Sequence, residues 1–361
     1  MSSLRPSEIY LTQDALEYPV TKKILSAFPG AGLFYLKHPR ELYFKPDKDP
    51  LEVSRAKKRL FLTVRKSSFL EKCPGTKEHL CCNYFVLKNV VGCDMDCSYC
   101  YLQGYQNLSA IQIYVNLGRI TEDVEIFLRS FPEKMTFRLG TGEFSDSLSL
   151  DSLVEINAGL ISLFARRKNA YLELKTKSCR IEPLLSLSHG GRTVLGWSLN
   201  PQKIISSEEK RTASLAERLK AARKACEAGY PVSFHFDPIF HYPSWERDYA
   251  DTIEALFSHV PAGKIAWMSL GTFRFYPWLK PILKKRFPGS TLIYSEFLRG
   301  SDGKFRYIID LRRKMILSLK KIIEKNAPRV PLYLCMENER IWLETFGALP
   351  EKINGLDFIF R

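Results

Sequence analysis

Apolar and polar positions alternate in two rhythms along this chain, and from about residue 130 the rhythms take turns in a regular cycle. Six short runs rich in β-branched and aromatic residues read as strands: "KMTFRLG" (134–140), "AYLELKTK" (170–177), "TVLGWSLN" (193–200), "PVSFHFDPIF" (231–240), "KIAWMSLGTFRF" (264–275) and "VPLYLCME" (330–337). Longer helical stretches lie between them. One runs from about Leu150 to Arg167; another, "SLAERLKAARKACEAGY" (214–230), is amphipathic and ends on Gly229 as its C-terminal cap. Upstream, "HLCCNYFVLKNVVG" (79–92) is a further apolar run of strand length, and residues 1–60 mix helical "TQDALEYPVTKKILSAF" with strand-like "GLFYLK". The division this predicts is a small N-terminal α/β extension over 1–78, a main domain over 79–345 and a C-terminal tail over 346–361. Strand–helix units in succession predict a parallel sheet with covering helices, open or closed into a barrel. Ligands gather at the carboxyl ends of strands in that architecture. Cys93, Glu143, Lys177, Ser198, Asp237 and Glu337 all fall at or just after such ends, so one shared pocket is expected.

Composition changes this picture little, since 45% hydrophobic and 26% charged residues are ordinary for a globular chain. No apolar run approaches the roughly 18 residues of a membrane span. The start, "MSSLRPSEIYLTQDALEYPV", has no basic leader with an apolar core, so a cytoplasmic protein with no membrane partner is expected. Charge changes more. Lys and Arg total 54 against 39 acids, and the excess gathers in "RAKKRLFLTVRK" (55–66), "LKPILKKRF" (279–287) and "LRRKMILSLKKIIEK" (311–325). Such an excess suits a polyanionic partner held through phosphate contacts and counterion release. Any one cluster is equally what a solvated helix face looks like.

The chemistry concentrates in "GCDMDCSYCYLQ" (92–103). Nine cysteines, an odd count in a leaderless chain, argue for reduced thiols that ligate metal and against a disulfide framework. Cys93, Cys97 and Cys100 follow a predicted strand. A structural zinc site or a fully ligated cubane takes four protein ligands. No second Cys or His pair of zinc-finger form accompanies them; zinc stays open as a reading beside a [4Fe-4S] cluster with one iron left for another ligand.

C-x3-C-x2-C with an aromatic before the last cysteine resembles the cluster loop of the radical S-adenosylmethionine enzymes. Further segments resemble the spore photoproduct lyase family within them: "YLTQDALEYPVTKKIL", "RAKKRLFLTVRK", "CSYCYLQ" followed by "IYVNL" (113–117), "SDSLSLDSL" (145–153), "RLKAARKACEAGY" (218–230) and "PIFHYPSWERDY" (238–249). They come in family order and cover most of the chain. The resemblance implies an α/β fold, a partial (β/α) TIM-type barrel. It implies a lyase-like radical enzyme with a [4Fe-4S] cluster on Cys93, Cys97 and Cys100, and S-adenosylmethionine chelating the open iron. DNA with a damaged pyrimidine is the implied substrate, and a reductase or a flavodoxin- or ferredoxin-type protein the electron donor; a monomer is expected. In "GTGEFSD" (140–146) it assigns Glu143 to the cosubstrate's amine and Ser145 and Asp146 to further contacts. Lys177 is assigned to the carboxylate, and Ser198 and Tyr99 to contacts beside it. Read without the family, Ser145 or Asp146 also suits a helix cap, Lys177 a surface lysine, Ser198 an ordinary buried hydroxyl and Glu143 a structural ion pair.

One position departs from the family. In the lyases a 5′-deoxyadenosyl radical takes hydrogen from the thymine-dimer lesion, a cysteine returns a hydrogen atom to the product radical, and tyrosines relay the radical back. The resemblance puts Glu143 at that cysteine's place, while Tyr99 and Tyr101 remain as relay-type tyrosines. A carboxyl O–H bond is too strong to yield hydrogen readily to a carbon radical. Either the donor has moved, with Cys335 and Cys179 as candidates, or the reaction or the substrate has changed. Nucleic-acid contact is expected from "FRFYPWLKPILKKRFPG" (273–289) and from a hairpin in "RGSDGKFRYI" (299–308), through Arg274, Lys304 and Arg306. The other readings are radical chemistry on RNA, a nucleotide or a peptide, and a nucleic-acid-binding protein with a structural cluster and no turnover.

Overall fold

Eight strands build the main sheet, in the spatial order Leu332–Leu334, Ile265–Thr272, Val232–Ile239, Thr193–Ser198, Ala170–Thr176, Phe137–Gly140, Phe85–Leu87 and Leu70–Lys72. All eight stand in strict chain order and seven of them pair in parallel; Leu70–Lys72 alone pairs antiparallel, at one edge. A sheet that lays each new strand beside the last, with its crossovers outside, curls in one direction. Its two edge strands do not pair, and the result is the partial barrel expected from the sequence. The computed structural model describes residues 4–76 and 78–360; residues 1–3, where the chain was read for a leader, lie outside them.

Alternation along the strands sorts the side chains. On Ala170–Thr176, Leu172 and Leu174 are fully buried in the main core, while Glu173 between them turns into the barrel. There Glu173 accepts hydrogen bonds from Ser233 Oγ (2.8 Å), Trp267 Nε1 (2.7 Å) and His235 Nε2 (3.0 Å), and His235 Nδ1 meets Ser269 Oγ at 2.7 Å. The floor of the half-barrel is therefore polar but satisfied, as a buried charge requires. The open side is closed by loops: Leu80 N donates to Glu337 O (3.0 Å) and Thr76 Oγ1 to Met336 Sδ (3.4 Å).

The amphipathic helix forms as Leu215–Glu227, with a Ser214–Glu217 capping box and Gly229 at φ +88° after its end. Three expectations need correction. The helix of 150–167 is two helices, Asp151–Val154 and Asn157–Ala165. Glu155 breaks them at φ 54°, and Asp151 Oδ1 takes the Ile156 and Asn157 amides (3.2 Å each), so one aspartate starts the second helix. The 79–92 run splits as well. Phe85–Leu87 joins the main sheet, Val90–Val91 joins a second one, and Leu80–Cys82 lies outside any strand. Likewise 264–275 ends its main strand at Thr272. Arg274–Phe275 then pairs with a hairpin of Leu298–Arg299 and Phe305–Arg306, where a hairpin was expected.

The second sheet has the order Gly32–Leu36, Glu8–Thr12, Arg59–Thr63, Ile111–Tyr114, Val90–Val91, the first four parallel. Its last two strands come from beyond residue 78. At the other end of the chain, Leu356, Ile359 and Phe360 are buried in the main core.

A glycine in the barrel wall makes room for a tyrosine. A Cβ on Gly140 would stand 1.9 Å from Tyr84 Oη and 2.3 Å from the Glu173 carbonyl oxygen, a backbone atom that cannot step aside. Gly140→Ala should destabilise the fold by about 1–3 kcal/mol as an overpacked core does, read as a lower urea midpoint at unchanged slope.

Candidate active site

The cysteine loop leaves the sheet through Gly92, which sits at φ +101° and donates its N–H to Phe144 O (2.8 Å). Only glycine takes that conformation cheaply. The loop is then fixed from three sides. Lys57 Nζ donates to the carbonyls of Cys93 (2.8 Å) and Met95, and Asp96–Cys97 pairs antiparallel with Glu209–Lys210. Arg286 Nη2 reaches Asp96 Oδ1 (2.7 Å) and its Nη1 reaches Gln103, whose amide in turn holds the Cys97 and Ser98 carbonyls.

Cys97 is buried, and Cys93 and Cys100 are half-buried. Burial, helped by Asp94, pushes the Cys93 thiol up to about 12, and burial holds Cys97 well above the usual thiol range. The groups acting most strongly on Cys97 after burial are Lys177, Glu209 and the other two loop thiols. Among the described residues no three Cys, His, Asp or Glu side chains converge as ligands of one ion would. A cubane presents a separate iron to each thiol, and three thiols close enough on one loop to act on one another's charge are a donor set that fits it.

Beneath the loop lies a network that the sequence reading missed. Glu209 and Arg218 form a fully buried ion pair at 2.5 Å. Glu209 also accepts from Tyr99 Oη (2.5 Å) and Asn200 Nδ2 (2.9 Å), and Tyr249 Oη donates to Asn200 Oδ1 (2.7 Å). Burial pushes the Glu209 carboxyl up, but Arg218 and then Lys177 outweigh it and hold the group below the ordinary carboxylate range. Tyr99 is thereby locked against Phe240, ring centroids 5.0 Å apart, with Lys177 Nζ 5.9 Å from its ring. Burial alone would lower Lys177; Cys97 and Glu209 hold it above its ordinary value.

The remaining expected cosubstrate residues stand around this loop. Asp146 Oδ1 accepts the Leu148 and Ser149 amides (2.9 Å each) and Thr176 Oγ1 (2.7 Å), while Oδ2 takes the Lys177 amide (2.7 Å). It ties the 140–146 loop to the next strand, capping the turn as the residue type allows, and it is among the charges that act on Cys93. Ser145 Oγ is buried and, among the described residues, has no hydrogen-bond partner. Ser198 closes its strand, buried, with its carbonyl held by Arg218 Nη1 (2.9 Å). Tyr101 Oη donates to the Glu143 carbonyl (2.6 Å) and carboxylate (3.0 Å).

A second group lines the barrel mouth. Arg274 pairs with Asp237 (3.0 Å) and its Nη2 points at Cys335 Sγ (3.6 Å). Arg274 and Lys175 hold the Asp237 carboxyl far below its usual range against burial; burial and then Asp237 keep the Cys335 thiol well above its own. The Cys73 thiol is also raised, by burial and then by Glu143. Cys179 packs against the main core, and Glu337 is turned to Arg312 (2.5 Å). Of the expected nucleic-acid residues, Arg306 is buried against Asp302 (2.7 Å), and Lys304 Nζ donates to Thr76 Oγ1 (2.7 Å). Lys175 and Arg218 were both readable: the first alternates with core leucines on a strand, and the second opens a helical segment with family resemblance.

A half-barrel with three thiols on the loop after its first parallel strand defines a radical S-adenosylmethionine protein. The sequence model of the spore photoproduct lyase family matches residues 4–333, and the chain belongs to that family. It is 26% identical over 339 residues to spore photoproduct lyase of Bacillus subtilis strain 168 (91% of this chain, 97% of the relative), and 25% identical over 318 residues to that of Geobacillus sp. strain Y412MC61 (85% and 91%). Among solved structures, a double mutant of spore photoproduct lyase with bound AdoMet and dinucleoside spore photoproduct superposes with a TM-score of 0.79 at 24% identity, covering 92% of this chain and 98% of that one.

The Glu209–Arg218 pair generates a prediction. Glu209→Gln leaves a buried guanidinium without its counter-charge, and should cost about 3–5 kcal/mol of unfolding free energy. In the wild type the pair's contribution is complete above the unfolded carboxylate's pKa. It is lost as acid passes through the lower folded value. Denaturation followed from neutral to acid pH should therefore show the difference between wild type and variant shrinking toward acid.

Proposed function

We propose that the protein is a radical S-adenosylmethionine lyase acting on a pyrimidine lesion or a related site in DNA. What carries the reading is the Cys93–Cys97–Cys100 loop, faced by Lys177 and Asp146 at the carboxyl ends of the half-barrel strands, in a chain that matches the family over residues 4–333. Relatives crystallised with AdoMet and with dinucleoside spore photoproduct support that cosubstrate and that substrate class.

The three thiols would hold a [4Fe-4S] cluster, and Tyr99, Glu143, Ser145, Asp146, Lys177 and Ser198 the S-adenosylmethionine. When bound, this pair supplies a one-electron cleavage that yields a carbon radical able to take hydrogen from substrate. The protein's own part is position and exclusion of water. Lys177 offers a cation for a carboxylate and Ser145 a hydroxyl, while the glycines at 140 and 142 let the loop pack closely against Tyr84, Glu173 and Lys175 beside them. An acidic flavodoxin- or ferredoxin-type donor suits the basic surface.

Hydrogen return by a thiol needs a residue other than Glu143, whose O–H bond is too strong to supply it. Cys335 stands at the barrel mouth between Arg274 and Asp237, with Cys73 nearer Glu143; Tyr101, bonded to Glu143, and Tyr99 are placed for relay. The hairpin of Lys304 and Arg306 would meet phosphate by exchanging Asp302 and Thr76 for it.

Anaerobically reconstituted protein, reduced with S-adenosylmethionine, should release 5′-deoxyadenosine, and Cys97→Ala should not. Ultraviolet-irradiated DNA should then lose a pyrimidine lesion by mass spectrometry; a colourless, zinc-loaded protein with no turnover would defeat the proposal. Cys335→Ala should keep deoxyadenosine release while cutting intact product at least tenfold, with Cys73→Ala as the comparison that assigns the donor. Lys304→Ala with Arg306→Ala should weaken duplex binding and lower the salt slope by about 0.9 for each phosphate no longer neutralised.

A further inference from the structure

The N-terminal sheet has a ligand crevice of its own. Its chain enters at Glu8–Thr12, moves to one side for Gly32–Leu36, then crosses back to the other side for Arg59–Thr63 and Ile111–Tyr114. The direction of winding thus reverses between Glu8–Thr12 and Arg59–Thr63. In open parallel sheets such a reversal parts the connecting loops at the carboxyl ends and leaves a crevice where ligands bind. A groove of about 1260 Å³ lies there, walled by residues 12–14 on one side of the reversal and 63–67 on the other.

The lining is basic and aromatic, with Asp14 its one acidic residue. Lys37 and Lys66 are exposed in it, and among the described residues neither has an acidic partner at ion-pair distance. Tyr35, Tyr43 and Tyr105 expose 57%, 54% and 49% of their surface to the same groove. Three open tyrosine faces among free lysines is what an unpaired nucleic-acid strand uses, bases stacked on rings and phosphates on ammonium groups. The groove also leads somewhere. Tyr105 stacks on Phe144 (centroids 5.5 Å apart, planes 28° apart), the residue after Glu143, and Lys88 Nζ lies 4.4 Å from the same ring.

We propose that this crevice holds a single-stranded nucleic-acid segment flanking the nucleotides at the barrel mouth. The inference rests on the nucleic-acid reading of the active site and adds a second contact region to it. A duplex would keep its bases from the tyrosines. An acidic peptide would satisfy the lysines and leave the rings unused.

The test is fluorescence anisotropy of a labelled twelve-nucleotide oligothymidine on the full-length protein across a salt series. Lys37→Ala with Lys66→Ala should weaken binding about tenfold and lower the log–log salt slope by about 1.4, at about 0.7 per single-strand phosphate contact. Tyr35→Ala with Tyr43→Ala should weaken binding by about tenfold or more with the slope unchanged, as loss of stacking does. Both variants should release 5′-deoxyadenosine without nucleic acid at the wild-type rate, which shows that they fold. Wild-type affinity and slope in both variants would overturn the crevice alone. Displacement of the strand by polyglutamate as readily as by unlabelled oligonucleotide would make it an acidic-polymer surface. A wild-type protein that binds no oligonucleotide would remove the nucleic-acid reading and this inference together.

Discussion

The site depends on one buried ion pair. Glu209 sits opposite Cys97 across a two-residue antiparallel ladder, so the carboxylate that Arg218 neutralises belongs to the same backbone that positions a loop thiol. Its other oxygen takes the Tyr99 hydroxyl from inside the cysteine loop. Arg218 comes from the helix Leu215–Glu227 and also holds the Ser198 carbonyl at a strand end. Loop, helix and strand are therefore fixed to one another by charge in a fully buried place. Such a pair adds little net stability over an apolar packing of equal volume. Its geometric effect is to leave the loop a single position.

Much of this was legible in the chain. The alternation of periods exposed the parallel sheet, and the strand-end positions of Lys177 and Asp237 fall in two groups, the first with Tyr99 and Glu209, the second with Arg274 and Cys335. The cysteine spacing, with its aromatic, marked the loop. Other parts resisted for local reasons. An apolar run such as 79–92 carries no sign that Phe85–Leu87 and Val90–Val91 serve different sheets, because burial on either sheet selects the same residues. A break such as Glu155 is set by a side chain, Asp151, capturing amides further on, which periodicity does not see. Glu209 lies in "SSEEKR", which reads as a solvated surface; its burial is imposed by Arg218 and the loop, contacts distant in sequence. Arg274 and Arg306 read as free cations, yet each has an acid at hand, Asp237 and Asp302.

Charge inside the half-barrel falls into two layers with different duties. The lower one, Glu173 with His235, Ser233 and Trp267, is closed on itself: one carboxylate oxygen of Glu173 gathers donors reaching across the barrel from strands Val232–Ile239 and Ile265–Thr272. The upper one, Asp237, Arg274, Lys175 and Cys335, is less complete and faces the mouth. A closed layer stiffens the strands, and an open one leaves polarity for a guest. Inward glycines permit both, since a side chain at Gly140 would strike Tyr84 and one at Gly271 would stand 2.5 Å from Asp237 Oδ1.

The unpaired flank of the barrel has a consequence for how such a protein changes over time. There the wall is two loops held by the Leu80–Glu337 bond and the Thr76–Met336 contact, with no ladder of strands. Strands fix the spacing of everything they carry, whereas a loop can lengthen by a few residues and leave the sheet untouched. The chamber can thus be widened or narrowed from this flank while the cysteine loop and its buried supports stay as they are. That flank also carries Cys73 and Cys335, so any change in the chamber's width shifts those two thiols with it.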